Sequence, residues 1–226
     1  LDRTAAFGIL DERVFGFEDW VGGRFSVWGP VGLALMIAIG PEGFDDFRAG
    51  AAAMDQHFRT APLADNMPVR LALSGIWNHQ ICGYPTRAVI PYADRLAQLP
   101  AYLQQLEMES NGKRTTLDGA PLARPSVPVV WGGVGTNAQH AFFQMLHQGT
   151  QTVPCEFLLF AEGVDAGDAI HQQMLLANGI AQAQALMQGS RDDSDPALAP
   201  HRHLPGNRPS VTLAAPILDP WTLGAI

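Results

Sequence analysis

The amino-acid sequence predicts an α/β protein with three layers, α/β/α, built around a mostly parallel sheet. Short apolar runs at residues 86–91, 127–131 and 153–160 lack alternation, which is typical of strands buried on both faces. Helical patterns separate these runs, and parallel strands need such crossovers. Because ligands of parallel sheets bind beyond the carboxyl ends of the strands, we expect the chemistry in the loops that follow the strands.

The predicted helices depend on apolar residues that recur at three- and four-residue steps. The first covers residues 25–39 and is predicted to end at Gly40-Pro41. Candidate N-caps of later helices are Asn66 and Thr136. The remaining predicted helices cover residues 44–58, 67–81, 94–106, 136–147 and 168–189.

The last part of the chain changes in character. Residues 190–209 contain four prolines and clustered charge, so we predict an exposed excursion, followed by a final strand at 211–214. The chain does not begin with Met and ends like the first turn of an unfinished helix. We therefore interpret residues 1–226 as a single domain cut from a longer protein.

Composition excludes several classes of function. A net charge of -8 disfavours a nucleic-acid partner. The longest apolar run, residues 33–39, is too short for a membrane span of about 20 residues, and no signal peptide is visible. Cys82 and Cys155 have no metal-ligand spacing, which indicates reduced thiols in a cytoplasmic protein. We expect no metal, no cofactor and no membrane partner.

One glycine-rich segment is a candidate anion site. Gly22 and Gly23 allow the backbone to approach a ligand closely, and Arg24 follows at the predicted start of a helix. Backbone amides and a guanidinium would together stabilise negative charge. The alternative is a glycine-rich helix entry with a solvated Arg.

A second candidate is the polar end of the helix at residues 94–106. Glu107 and Glu109 are two residues apart, so they are not expected to share a helical face. Gly112 is well placed to end the helix. The alternative is an ordinary surface helix terminus.

A third candidate follows the second predicted strand. Three glycines between residues 132 and 135 resemble a phosphate cradle, although the G-x-G-x-x-G spacing is absent. We place His140 in the first helical turn, where the helix dipole would favour the neutral imidazole, and the alternative is a structural His. An Arg, a carboxylate and a His suit proton transfer beside a carbonyl.

These segments, with four further stretches, resemble the phosphoglucose isomerase family in the family's order. The stretches are WVGGRFS at 20–26, MDQHFRT at 54–60, MESNGK at 108–113, GTN and QH within 135–140, HQGT at 147–150, LLAN at 175–178 and GNRP at 206–209. The resemblance implies a sugar-isomerase (SIS), flavodoxin-like fold. It also implies isomerisation between glucose 6-phosphate and fructose 6-phosphate, as in glycolysis and gluconeogenesis, through a cis-enediolate.

The resemblance also implies roles for individual residues. Glu109 matches the base that moves a proton between C1 and C2, and Arg24 matches the cation that stabilises the enediolate. Gln105 matches a substrate contact, and Gly22 and Gly23 shape the turn beside Arg24. His140 matches a histidine that assists ring opening from the neighbouring subunit, which implies a homodimer with shared active sites and a phosphorylated hexose as substrate.

The sequence departs from the family pattern in places. The family usually has Glu-Pro at Gly133-Val134, Gly at Ala138 and a pair of His at His171-Gln172. The resemblance further implies that this is the C-terminal SIS half. The phosphate-gripping N-terminal half and the helix with a catalytic Lys then lie outside the chain, so we expect little activity from the chain alone.

Two other functions stay open at this point. One is a non-catalytic SIS module that binds phosphosugars for regulation or assembly. The other is isomerisation of a different phosphosugar, such as mannose 6-phosphate. The joint presence of Glu109, Arg24 and His140 favours the enzyme, because a binding module does not need the base.

Overall fold

The computed structural model describes residues 2–163 and 169–226, which form two compact units. One unit comprises residues 2–54 with 220–226, and the other comprises residues 55–163 with 169–219. The single domain expected over residues 1–226 stays a prediction. Among the described residues, no helix is both long and apolar enough to cross a membrane.

The helices are short except for two. In chain order the α-helices are α1 (Asp2–Ala6), α2 (Leu33–Thr60), α3 (Met67–Ile76), α4 (Leu99–Leu103), α5 (Gly135–Ala141), α6 (Phe143–Gln148), α7 (Ala169–Gln188), α8 (Ala199–Arg202) and α9 (Pro220–Ala225). The 3₁₀ turns are Asp11–Arg13, Gly23–Trp28, Pro30–Gly32 and Asp94–Leu96, and the π-helical turns are Trp77–Ile81 and Gln104–Glu109.

The second unit contains a parallel sheet of four strands in the order β2-β1-β3-β4. The strands are β1 (Thr86–Pro91), β2 (Val129–Gly132), β3 (Cys155–Glu162) and β4 (Ser210–Ile217). In the register, Arg87 lies opposite Val130, and Ala88 lies opposite Cys155. The predicted parallel sheet is therefore confirmed, and the strand order changes direction at β1.

Helices cover both faces of this sheet. On one face, Ile90, Phe157 and residues of α5, α6 and α7 form a buried cluster. On the other face, Val89, Val130 and Leu158 pack with residues of α4. Successive residues of β1 and β3 alternate between these two clusters, as the pleat of a strand requires. The predicted three-layer α/β/α arrangement is confirmed.

The edge strand β4 departs from the expectation of strands buried on both faces. Leu213 and Ala215 pack against the cluster that includes Val89. Thr212, Ala214 and Pro216, which alternate with them, are exposed. Pro216 is tolerated because an edge strand has one side free of ladder hydrogen bonds.

The first predicted helix is wrong in its first half. Residues 23–28 and 30–32 form separate 3₁₀ turns, and α-helix begins only at Leu33. Pro30 ends the first turn because it lacks a donor and disfavours helical backbone at Gly29 before it. The predicted break at Gly40 is confirmed, since its φ of 80° and ψ of 161° interrupt α2.

The two predicted caps have different outcomes. Asn66 is confirmed, because its Oδ1 accepts a hydrogen bond from the backbone N–H of Val69 at 3.2 Å. Thr136 is wrong, because α5 begins at Gly135 with Val134 as its N-cap. Helix α7 is described from Ala169, so its predicted start at Asp168 lies outside the described residues.

The predicted excursion at residues 190–209 is mostly exposed as far as His203. Its return to β4 is anchored by Arg208, which is buried. The Arg208 guanidinium donates hydrogen bonds to the carbonyl oxygens of Gly149 at 2.6 Å and Gln151 at 2.9 Å, and to Thr152 Oγ1 at 3.0 Å.

The crossing of α7 over β3 predicts an unusual response to alanine. A Cβ added at Gly179 would lie 2.4 Å from Leu159 Cδ2 and 3.4 Å from the Tyr92 ring. Both neighbours are buried, so Gly179→Ala should lower the free energy of unfolding by about 1–3 kcal/mol despite the better helix propensity of Ala. Urea unfolding measures the change.

Gly75→Ala in α3 is the matched control. A Cβ added at Gly75 meets nothing within 4 Å among the described residues. This variant should raise the free energy of unfolding by up to about 1 kcal/mol. Stabilisation by both substitutions would contradict the close approach of α7 to β3.

Candidate active site

The π-helical turn Gln104–Glu109 continues α4 and lies against the edge strand β2. Gln104 Nε2 donates a hydrogen bond to the Val130 carbonyl oxygen at 3.0 Å, and the Val130 N–H donates to Met108 Sδ at 3.3 Å. These two side chains therefore occupy backbone groups that the free side of an edge strand leaves unpaired. Such π turns occur frequently at functional sites.

The same turn carries the predicted base. Glu109 and Gln105, four residues apart, are both exposed. The Glu109 carbonyl oxygen accepts a hydrogen bond from Lys113 Nζ at 2.5 Å, and the helix ends before Gly112, as predicted. Glu107 instead contacts Arg87, so the two carboxylates occupy different surroundings, as their spacing predicted.

The position of Glu109 relative to the sheet follows from the helix that carries it. Glu109 does not lie in a loop that follows the carboxyl end of a strand. Its neighbour Glu107 contacts Arg87, the second residue of β1. A crossover helix between parallel strands must return to the amino edge of the sheet, so its C-terminal residues lie far from the carboxyl ends.

Arg87, Glu107 and Glu156 form a largely buried ionic cluster. Arg87 Nη2 lies 2.5 Å from Glu107 Oε1, and Arg87 Nε lies 3.3 Å from Glu156 Oε1. The side-chain exposures are 14% for Arg87, 24% for Glu107 and 11% for Glu156. The Nε contact is an ion pair without a well-directed hydrogen bond, because buried Nε has no partner with hydrogen-bond geometry among the described residues.

Burial raises the pKa of the Glu156 carboxyl group above its ordinary value. The Arg87 charge lowers this pKa and the Glu107 charge raises it, but both effects are smaller than desolvation. No motif spacing indicates this cluster in the sequence. The sequence feature that could have indicated the cluster is the presence of Arg87 and Glu156 within otherwise apolar strands. A charge buried in such a strand needs a partner of opposite charge.

His140 is placed by the packing of α5 on Tyr92. A Cβ added at Gly135 would lie 2.4 Å from the Tyr92 ring, so glycine allows the start of α5 to approach that ring. Gln139 Nε2 donates a hydrogen bond to Tyr92 Oη at 2.9 Å. Burial raises the pKa of Tyr92 to about 12, and the Gln139 hydrogen bond opposes this shift.

The predicted position of His140 within its helix is wrong. Because α5 covers Gly135–Ala141, His140 lies in the last turn, and its side chain is exposed. The positive end of the helix dipole therefore does not act on this imidazole. The sequence placed the helix start too late because the close contact of Gly135 with Tyr92 is a tertiary one.

The apolar residues after His140 divide between core and surface. Phe143 is buried, and the Phe142 ring packs edge-on against Trp131 with centroids 4.7 Å apart. Met145 is exposed. Of these three residues, Met145 is therefore the one that contributes exposed apolar surface.

The first unit carries Gly22, Gly23 and Arg24. Gly22 is the N-cap of the 3₁₀ turn that begins at Gly23, and Ser26 Oγ donates a hydrogen bond to the Gly23 carbonyl oxygen at 2.7 Å. A Cβ added at Gly22 would make an ordinary contact with Phe25 at 3.6 Å, and one at Gly23 would meet nothing described within 4 Å. Packing among the described residues therefore does not require either glycine.

Among the described residues, two of the cavities lie at opposite ends of the strands. One, of about 690 Å³, is lined by Tyr92, Arg95, Glu162 and His171 among others, at the carboxyl ends of β1 and β3. The other, of about 270 Å³, is lined by His79, Arg87 and Glu156 among others, at the amino edge. Neither is lined by Gln105, Glu109 or His140.

The structure brings together some of the predicted site residues. Gln105 and Glu109 share one helical turn, and His140 lies on another helix of the same unit. Gly22, Gly23 and Arg24 share a turn of the first unit. Within the described ranges, no cluster of three or more His, Cys, Asp or Glu residues could hold a metal ion.

The fold defines an α/β protein with a parallel sheet, and its second unit exposes a carboxylate at Glu109 and an imidazole at His140, side chains of types that can transfer protons. The family is shown by comparison with known proteins. A family model described as phosphoglucose isomerase matches residues 1–226. The chain belongs to the phosphoglucose isomerase family, and the resemblance seen in the sequence is confirmed.

Individual relatives agree with this membership. The glucose-6-phosphate isomerase of Cereibacter sphaeroides (strain ATCC 17025 / ATH 2.4.3) is 60% identical over 240 residues, which cover 100% of this chain and 45% of the relative. That of Ruegeria sp. (strain TM1040) is 58% identical, with the same coverage. This chain therefore spans less than half the length of these curated relatives.

Solved structures also match. A glucose-6-phosphate isomerase from Chlamydia trachomatis D/UW-3/Cx has a TM-score of 0.86 and 44% identity, and the match covers 94% of this chain and 41% of that chain. A protein from Thermus thermophilus has a TM-score of 0.73 at 23% identity, and the match covers 99% of this chain and 50% of that chain. At that identity the second match supports the fold alone.

The raised pKa of Glu156 predicts a specific pH dependence of stability. The folded state holds this proton more tightly than the unfolded chain, whose carboxyl has a pKa of 4.5. The resulting stabilisation is fully present below the unfolded pKa and is lost as pH rises through the folded pKa. Glu156→Gln removes this titration, so the parent should lose stability relative to the variant as pH rises from below 4.5 through the raised pKa of the folded state.

Urea unfolding across this pH range measures the difference. Glu162→Gln, on the exposed end of β3, is the matched control and should leave the pH dependence of the parent unchanged. Parallel pH profiles for the parent and Glu156→Gln would show that the burial of Glu156 does not perturb its titration.

Proposed function

We propose that the full-length gene product is an aldose–ketose isomerase that interconverts glucose 6-phosphate and fructose 6-phosphate. The observation that carries this proposal is the exposed Glu109 carboxylate on a turn that is anchored to the sheet, in a chain that matches the family over residues 1–226. The activity belongs to the complete protein, because this chain spans 45% of the first relative.

Glu109 is the proposed base. It takes the proton from C2 of the open-chain aldose, and the electron pair moves to the C1 carbonyl oxygen to form a cis-enediolate. The hydroxyl proton passes from O2 to O1. Glu109 then returns its proton to C1, and the electron pair on O2 forms the C2 carbonyl group of the ketose. A carboxylate that is exposed on a firmly held helix can reach a substrate without rebuilding the turn.

Arg24 is the proposed cation for the enediolate. Its guanidinium offers a fixed planar fork, and negative charge on the sugar oxygens develops chiefly near the transition state. Packing in the described part of the first unit gives no reason for glycine at 22 or 23, since added Cβ atoms are accommodated at both. This supports a role for these glycines in admitting a ligand beside Arg24.

His140 and Gln105 complete the proposed site. Gln105 contacts substrate from the same face of the turn as Glu109, four residues away, where side chains are neighbours on a helix. His140 assists ring opening from the neighbouring subunit, so the working unit is a homodimer. Its exposed position in α5 supports such a contribution.

The proposed location is the cytoplasm. Cys82 and Cys155 are both free thiols, Cys82 exposed and Cys155 buried. Free thiols fit a reducing compartment. A phosphorylated hexose is the proposed substrate, and no cofactor is needed because the proton transfer uses side chains of the chain itself.

Replacement of the base is the direct test of the chemistry. In the full-length gene product, Glu109→Gln should lower the isomerisation rate by about 10²–10⁴-fold, because an amide keeps the shape but cannot accept the C2 proton. Exchange of solvent tritium into the sugar measures proton transfer at C1 and C2, and substrate binding should be largely retained.

Glu42→Gln, an exposed position on α2, is the control and should leave the rate unchanged. Parent-like tritium exchange in Glu109→Gln would remove Glu109 from the role of base. A parent protein that binds the sugar phosphate without isomerising it would instead support a non-catalytic binding module.

Mixed dimers test the shared site. When full-length His140→Ala and Glu109→Gln are co-expressed, a mixed dimer should contain one site with both defects and one intact site. Activity of up to about half that of the parent dimer should return, although each variant alone is impaired. Sedimentation identifies the dimers, and inactive mixed dimers would exclude a site shared in this way.

A further inference from the structure

The turn that carries Glu109 has an anchored side and an open side. Gln104, Glu107 and Met108, at steps of three and four residues, contact the sheet through Val130 and Arg87. Gln105 and Glu109 are exposed. The same turn is therefore held to the sheet by three side chains while it exposes the two proposed site residues.

We propose that Arg87 is a positioning residue, which holds Glu109 in place by binding the Glu107 carboxylate of the same turn. This inference rests on the proposed function of Glu109 as the base. Consecutive Cα atoms are about 3.8 Å apart, so the Cα atoms of Glu107 and Glu109 can be separated by no more than about 7.6 Å. A shift of the Glu107 anchor is therefore passed to Glu109 with little attenuation.

The anchor is firm because its charges are largely buried. Only 14% of the Arg87 side chain and 24% of the Glu107 side chain are exposed. If the turn moves away, the largely buried Arg87 loses its partner, and breaking a buried pair is strongly unfavourable. A single polar contact at the surface would not restrain the turn to the same extent.

Glu156 keeps Arg87 directed toward the turn. Its carboxylate lies 3.3 Å from Arg87 Nε, while Arg87 Nη2 contacts Glu107. Arg87 lies on β1 and Glu156 on β3, two adjacent strands at the centre of the sheet order. The contact between Nε and Glu156 therefore fixes the guanidinium to the sheet. Its Nη2 atom remains directed to Glu107 of the turn.

A double-mutant cycle in the full-length gene product tests the positioning role. The variants are Arg87→Met, Glu107→Gln and the double variant. Each single variant should lower kcat by about 10–100-fold with KM within about twofold, because small misplacement of a catalytic group has effects of this size. The double variant should lose no more than the worse single variant, because the same contact is already broken.

Two further variants sharpen the cycle. Arg87→Lys retains the charge but not the planar fork, so it should recover part of the kcat lost in Arg87→Met. Arg202→Met removes an arginine from an exposed ion pair with Asp192, at 2.8 Å, and should leave kcat within about twofold of the parent.

Hydrogen–deuterium exchange supplies a readout that does not depend on activity. Amides of residues 104–110 should exchange faster in Arg87→Met and Glu107→Gln than in the parent, while the amides of α7, which packs on the other face of the sheet, should be unchanged. If the parent lacks isomerase activity, the proposed function fails, and the exchange measurement still decides whether Arg87 holds the turn.

Several outcomes would overturn the proposal. One is kcat within twofold of the parent in both Arg87→Met and Glu107→Gln. Another is a loss of kcat that equals the loss of folded protein, which would make the pair merely structural. A third is unchanged exchange at residues 104–110, which would show that the contact does not restrain the turn.

Discussion

The docking of the π-helical turn on the free side of β2 is the interaction on which the candidate site depends. An edge strand presents backbone N–H and C=O groups that no neighbouring strand pairs. Met108 and Gln104 supply an acceptor and a donor for Val130, four residues apart and so on the same helical face. Leaving a buried polar group unpaired costs about 1–3 kcal/mol. These two hydrogen bonds therefore favour one position of the turn along β2.

The ionic cluster adds a second constraint at the centre of the sheet. Arg87 can approach Glu156 because β1 and β3 are adjacent, with Ala88 opposite Cys155. A slip of one residue along either strand would turn one of these charges toward the opposite face. The cluster therefore links strand register to the position of the turn that carries Glu109, and this is how the interior of the unit influences an exposed carboxylate.

Other family stretches serve packing in this unit. Arg208 of GNRP donates hydrogen bonds to the carbonyl oxygens of Gly149 and Gln151. The GNRP and HQGT stretches are therefore hydrogen-bonded to each other. His147 Nε2 lies 2.8 Å from Gln182 Oε1, which joins α6 to α7. A recognised motif thus indicates family membership, whereas only its contacts indicate whether a residue supports the fold or is available to a substrate.

The sequence by itself determined the features that depend on neighbouring residues. Apolar runs predicted the strands, Asn66 predicted a helix start, and Gly40 predicted a helix break, because short-range sterics and local hydrogen bonds control these features. The recognised order of motifs also supplied the family and the candidate residues Glu109, Arg24 and His140.

Only the tertiary structure decided the features whose partners are distant in the chain. The start of α5, and with it the helical position of His140, depends on the contact of Gly135 with Tyr92. The anchoring of Glu109 depends on Arg87, whose charge is uninformative until folding brings two carboxylates to it. Burial turns such residues from solvated charges into fixed supports, and burial is a property of the folded chain rather than of any short segment.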